Sequence, residues 1–317
     1  MQWRILSLAL ALGMAAGAAE LKLELRGEIV PPREFVQVSL EGATSTYVSR
    51  TLTDSRGRFR FRNLAPGPYT LRIFIPGLTQ LMRTVEISPS LADKDRRISV
   101  TVPYDPEAPD KQAQQSTHTI SARQLSLPSA AVREYREALN LLERHQVEEA
   151  IRRLERAVQL APRFIEAWNH LGTIAYQQRR FEDAEKFFRT ALEHEPGSYT
   201  PTVNLGGVLI TVGRYEEALP YNLYAVQKDP RDALAQAQLG KNYLRLGKLD
   251  PAFQHLSEAK RLDPDHFSFP QLSLAEIHLR RGDPVQAAAE FEDFLKRHPD
   301  SVQAATVREY LKKIKTQ

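Results

Sequence analysis

The chain contains no cysteine. Disulfide stapling, a thiolate nucleophile and a lipid-modified cysteine are therefore excluded. Long apolar runs are also scarce. The run from Ile5 to Ala16 falls short of the roughly 20 residues that a membrane span needs, and no later stretch qualifies. It follows the short basic start Met1-Gln2-Trp3-Arg4 and leads into Ala16-Gly17-Ala18-Ala19, so residues 1–19 read as a secretory signal peptide. The expectation is an exported chain, periplasmic or extracellular, without stable membrane insertion once mature. Catalytic signatures are missing as well. No Gly-x-Ser-x-Gly elbow or phosphate-cradling glycine loop occurs, and no two of the eight histidines share the three-to-five spacing of helical metal ligands. Neither enzymatic activity nor a cofactor or metal is expected.

Charge is nearly balanced, with 43 Lys and Arg against 39 Asp and Glu. The small positive excess lies within residues 20–103, where Arg56, Arg58, Arg60 and Arg62 alternate along one segment and project from one strand face. Such a row reads as solvated. A basic stripe without stacking aromatics is also no nucleic-acid signature, and no nucleic-acid partner is expected.

What the chain has in abundance is a repeat. A small residue recurs at Ala138, Gly172, Gly206, Gly240 and Ala275, and alanine at Ala150, Ala184, Ala218, Ala252 and Ala287. A third column holds Ala157, Ala191, Ala225, Ala259 and Phe294, and a fourth holds Pro162, Pro196, Pro230, Pro264 and Pro299. The constant spacing from the first column to the second fits two helices crossing closely after a tight turn. Proline then ends each second helix, because it lacks an N–H and clashes with the preceding turn. Each unit is one helical hairpin.

This pattern resembles the tetratricopeptide repeat family. Trp168, Leu171-Gly172, Tyr176, Ala184, Phe188, Ala191 and Pro196 of the second unit carry the match, although Tyr176 sits one place later than the family usually has it. The resemblance implies five hairpins over residues 129–301, coiled into a superhelical solenoid, with the amphipathic segment 302–317 closing the end.

From Leu21 to Val102 the apolar period is two, as in Leu21/Leu23/Leu25, Val36/Val38/Leu40 and Tyr69/Leu71/Ile73/Ile75. Turn chemistry at Asp54-Ser55-Arg56-Gly57 and Pro66-Gly67 divides the segment into about seven short strands, which suits an antiparallel sandwich over residues 20–103. Thr53 to Phe61, followed by Leu64 to Leu71, resembles the carboxypeptidase regulatory-like domain, a transthyretin-type sandwich. That resemblance implies an accessory module and brings no peptidase activity with it. Residues 104–128, polar and bounded by prolines, read as a linker across which few contacts should pass. Ser129 is the expected cap of the first helix. The fold class is thus multidomain: a small all-β sandwich followed by an all-α solenoid.

Stacked first helices line the concave side of such solenoids, and helical spacing picks out the candidates for partner binding. Asn169, Thr173 and Gln177, with Tyr176 adjoining, stand on one face of the second unit; Asn204 and Thr211 follow in the third, Lys241 and Arg245 in the fourth, and Arg280 in the fifth. Neutral donors at one end and cations at the other suit a protein or peptide partner held by its carboxylate, on the analogy of the carboxylate clamps of some tetratricopeptide proteins. A solvated polar face accounts for the same pattern. The expected function is an exported, non-enzymatic interaction scaffold. The alternative is a carbohydrate- or surface-binding protein that recognises its ligand through the sandwich, marked by exposed aromatics on a strand face.

Overall fold

The computed structural model describes residues 22–75, 80–104 and 127–315. The signal peptide and most of the linker expected from the sequence lie outside these residues. Seven strands form first: β1 (Leu23–Val30), β2 (Gln37–Gly42), β3 (Val48–Leu52), β4 (Arg58–Leu64), β5 (Gly67–Phe74), β6 (Gln80–Ile87) and β7 (Arg97–Pro103). They build two sheets, ordered β4-β1-β7 and β3-β2-β5-β6. Leu25, Leu40, Phe61, Tyr69, Leu71 and Ile73 fill the space between the sheets, as the alternation requires. Their sequence neighbours Arg58, Arg60 and Arg62 point outward and are exposed, Arg58 paired with Asp54 and Arg62 with Glu24. The turn before β4 is held by the Asp54 carboxylate, which accepts the Arg56 and Arg58 amides, and by Gly57 at φ +71°.

One pairing departs from the antiparallel expectation. β1 and β7 run parallel, from Glu24↔Arg97 to Val30↔Pro103. The chain crosses between sheets through a short 3-10 turn, Pro89–Leu91, and enters β7 in the direction of β1. A period of two is the same for both directions, so alternation cannot report this.

Eleven helices follow: α1 (Ser129–Glu143), α2 (Val147–Leu160), α3 (Ile165–Gln177), α4 (Phe181–His194), α5 (Tyr199–Thr211), α6 (Tyr215–Lys228), α7 (Ala233–Arg245), α8 (Leu249–Leu262), α9 (Pro270–Arg280), α10 (Pro284–Arg297) and α11 (Ala304–Lys315). The first ten pair as five hairpins. A Cβ added to Gly172 would meet the Phe188 ring at 2.5 Å, and one added to Gly240 would meet Leu256 at 2.6 Å, so the small-residue column is the crossing point within each hairpin. The column prolines lie in the loops, each two residues past a helix end, as Pro196 does after His194. Ser129 does not cap α1. It is the first helical residue, and the Pro128 carbonyl accepts the Val132 amide instead. α11 closes the array by covering Phe291 and Phe294 with Ala304, Val307 and Tyr310.

Many contacts join the two domains, contrary to the expectation that few would. On the outer face of the four-stranded sheet, Val48 packs into the core of the first hairpin, and Tyr47 lies 5.6 Å from His145 in the α1–α2 turn. At the other end, Thr84 on β6 is 2% exposed and donates its amide to Asp263, in the loop before α9. The sandwich therefore lies against the first helices and the loops that precede them, from the first repeat to the last. A cavity of about 220 Å³ remains where Leu81, Met82 and Val102 meet Leu262 and Pro264.

Candidate functional site: the first-helix face

The 34-residue register aligns side chains on successive first helices. His170, Asn204 and Gln238 occupy one column, and Asn204 Nδ2 donates to Asn169 Oδ1, beside that column, at 2.9 Å. Gly207 is glycine because the Gln238 amide lies across it, where a Cβ would approach Nε2 to 2.6 Å. The neighbouring column holds Thr173, Gly207 and Lys241. The third holds Gln177, Thr211 and Arg245. Thr173 and Thr211 each donate back to a carbonyl one turn earlier, at Asn169 and Gly207. The Tyr176 hydroxyl bridges to Thr211 Oγ1 at 3.0 Å, linking the second repeat to the third.

The cationic end is less free than its sequence suggests. Lys241 Nζ donates to the Ser268 carbonyl at 2.6 Å, and burial together with the adjacent Arg245 pushes its ammonium down to about 8. Arg245 and Arg280 share the carboxylate of Glu276, at 3.3 and 2.6 Å. Sequence reasoning missed Glu276, although it stands four residues before Arg280, the spacing at which helical ion pairs form. Beside Lys241, His266 bonds Ser268 and is held neutral, its imidazole driven down to about 3 by burial, then by Lys241 and His298.

Of the candidates, Gln177 is engaged by the sandwich: its Nε2 donates to the Ser45 carbonyl at 2.9 Å. The remaining ties to the sandwich come from residues that sequence reasoning did not select. Glu143 accepts from the Ser49 hydroxyl at 2.6 Å, Asp265 pairs with Arg83 at 3.9 Å, and Asp300 accepts from the hydroxyls of Ser88 and Ser90 and from the Ser90 amide. His298, fully buried, faces Glu86 at 3.2 Å. Nearer the middle, Tyr199 donates to Asp232, while burial and that carboxylate raise its pKa. Glu41 and Arg50 on the sheet act electrostatically on Tyr135 and His170 of the first two repeats. The register held a signal for this set. Asp263 and His298 share one loop column, and Asp265 and Asp300 another, each pair one repeat apart.

Among the described residues no cluster of histidines and carboxylates has the arrangement of a metal site. Among the described residues, no helix is long and apolar enough to cross a membrane. The arrangement is a surface of donors, acceptors and partly neutralised charges spread over successive repeats, suited to holding another polypeptide.

Comparisons with known proteins agree with this architecture. A carboxypeptidase regulatory-like domain profile matches residues 30–102. Among solved structures, PilF of Pseudomonas aeruginosa is similar at 22% identity and a TM-score of 0.50, covering 59% of this chain and 90% of its own. MamA of Desulfovibrio magneticus RS-1 has 24% identity and a TM-score of 0.49, over 56% of this chain and 100% of that one. A thermophilic tetratricopeptide protein of Thermus thermophilus, TTC0263, has 22% identity and a TM-score of 0.46, over 59% and 100%. At these identities the likeness is one of fold alone. No curated protein matches the chain. The tetratricopeptide repeat profile matches residues 135–199, 204–267 and 272–308, more than half of the chain, and the protein belongs to the tetratricopeptide repeat family.

Proposed function

We propose that the protein is an exported, non-enzymatic scaffold that binds a protein partner on the first-helix face of its repeats. One observation supports this reading: two columns of polar side chains, His170/Asn204/Gln238 and Gln177/Thr211/Arg245, run in register over three consecutive first helices, with Thr173 and Lys241 between them. Regular spacing of donors over successive repeats matches an extended polypeptide better than a compact small molecule. The exposed part of this face consists of Tyr176, Thr211, Arg245 and Arg280. The signal-peptide-like start supports export.

Recognition of sugars by the sandwich has less behind it, because Phe59, Phe61 and Tyr69 are core residues and the exposed Phe35 lies before β2 and not on a strand face. Capture from the native envelope fraction with the wild-type chain and with the Arg245→Ala, Arg280→Ala variant tests the scaffold reading. A specific protein partner that is retained by the first and lost by the second is the expected result. Equal retention would remove this face from recognition.

A further inference from the structure

Most of the polar ties between the domains run in one direction. Carboxylates of the array, at Glu143, Asp263, Asp265 and Asp300, meet donors of the sandwich: the Ser49, Ser88 and Ser90 hydroxyls, the Thr84 and Ser90 amides and the Arg83 guanidinium. Two further ties use Gln177 with the Ser45 carbonyl and His298 with Glu86. β6 is an edge strand, ordered last in its sheet. Its Thr84 amide is bonded to the Asp263 carboxylate and to no other strand. Edge strands present unpaired backbone groups that bind whatever offers complementary acceptors. The array supplies such acceptors from its loops, at Asp263 and, in one loop column a repeat apart, at Asp265 and Asp300.

The same interface is imperfectly satisfied. Gln177 Oε1, Asp263 Oδ1 and His298 Nε2 are buried there without a hydrogen-bond partner. Buried polar atoms without a protein partner lower the net gain from packing the groups that carry them. An interface with complementary polar ties and unpaired buried atoms is specific but exchangeable.

We propose that the first-helix face and its acidic loops form a receptor for the edge of a β-sheet, held in cis by the chain's own sandwich, and that a partner presenting an extended strand with serine, threonine or arginine donors displaces it. The proposal rests on the scaffold reading above and adds the chemistry of the partner and the resident competitor it must remove.

The probe is a fluorescent peptide of residues 81–90, Leu-Met-Arg-Thr-Val-Glu-Ile-Ser-Pro-Ser, the β6 edge itself. Its binding to the full chain is read by anisotropy. Substituting the sandwich side with Arg83→Ala, Ser88→Ala and Ser90→Ala weakens the cis competitor while leaving the receptor intact, and peptide affinity should rise about tenfold or more, because the peptide no longer competes with a tethered ligand. Adding Asp263→Ala and Asp300→Ala on the receptor side should abolish that gain. A folded sandwich-side variant that binds no more tightly than wild type, or a gain indifferent to Asp263 and Asp300, overturns the proposal. On the unmodified chain, millimolar peptide should raise deuterium uptake at the Thr84 amide and over residues 85–90. Unchanged uptake overturns it too, and this measurement does not depend on any variant folding. A native partner that binds wild type and the sandwich-side variant equally would leave the scaffold reading standing and remove this one.

Discussion

Asn222, like Asn242, is a buried asparagine that interrupts an apolar column of the array. Its column is otherwise held by Leu154, Phe188, Leu256 and Phe291, it is fully buried, and neither its Oδ1 nor its Nδ2 has a partner. A buried amide that gives up water and finds nothing costs about 1–3 kcal/mol relative to an apolar side chain of similar shape. Leucine is accommodated against glycine one repeat later, where Leu256 faces Gly240. Asn222→Leu is therefore expected to raise the unfolding free energy by about 1–3 kcal/mol in urea denaturation; a fall would mean that Asn222 has a partner the architecture hides. Gly206 faces the same side chain even more closely than Gly240 faces Leu256. Gly206→Leu should destabilise the array by about 1–3 kcal/mol or more, since the crossing cannot admit a branched side chain without moving a helix. An unchanged melting curve would sink that assignment. Gly206 was legible in the sequence as a member of the small column, whereas the column of Asn222 emerged only from the packing against it.

At the scale of the element, β6 and α11 show how edges and ends are protected. Asp263 caps the β6 edge, and burial raises its pKa while the Thr84 amide draws it down. A carboxyl whose pKa is raised on folding opposes stability where it is ionised in both states, and the deficit shrinks as pH falls through the raised value toward the ordinary carboxylate range. Asp263→Asn keeps an acceptor for Thr84 and removes the buried charge. The variant should be the more stable chain at neutral pH, and its advantage should shrink on acidification; a constant difference across pH would show that Asp263 does not titrate with folding. α11 has the opposite task, covering apolar surface. Truncation after Ser301 uncovers Phe291, which stacks on Tyr310 at 6.3 Å, together with Phe294. The expected outcome is a lower melting temperature and concentration-dependent association in sedimentation, because a solenoid needs a polar-backed end. The element scale is where sequence reading reached furthest for helices and less far for strands. Columns of alanine and proline repeat only if the packing repeats, whereas alternation carries no strand direction, and β1 pairing parallel with β7 had to come from the structure.

At the scale of the whole molecule, the sandwich and the array were each readable alone, but their joint arrangement was not. The sheet face turned toward the repeats carries Glu41, Arg50, Arg72 and Thr84, a composition that looks like any solvated strand face. A polar interface leaves no apolar signature in the sequence, and the donors and acceptors that make it are separated by up to 212 residues along the chain. Yet this arrangement decides how the array behaves by itself. Repeat stability comes first from neighbouring hairpins, so residues 127–315 expressed alone should keep their helical circular dichroism. They should also lose the carboxylate ties at Asp263 and Asp300 and the cover over His298. A hydrogen bond contributes about 0.5–1.5 kcal/mol net, and those to charged groups about 1.5–3 kcal/mol, less what the unpaired Asp263 Oδ1 and His298 Nε2 cost while docked. For an array of this length each kcal/mol corresponds to roughly 2–4 °C. The isolated array should accordingly melt a few degrees below the full chain, with its largest gain in amide exchange in the loops before α9 and α11. A melting temperature equal to that of the full chain would mean that docking contributes nothing in solution, and exchange that increased evenly along the array would mean that the sandwich does not rest on those two loops.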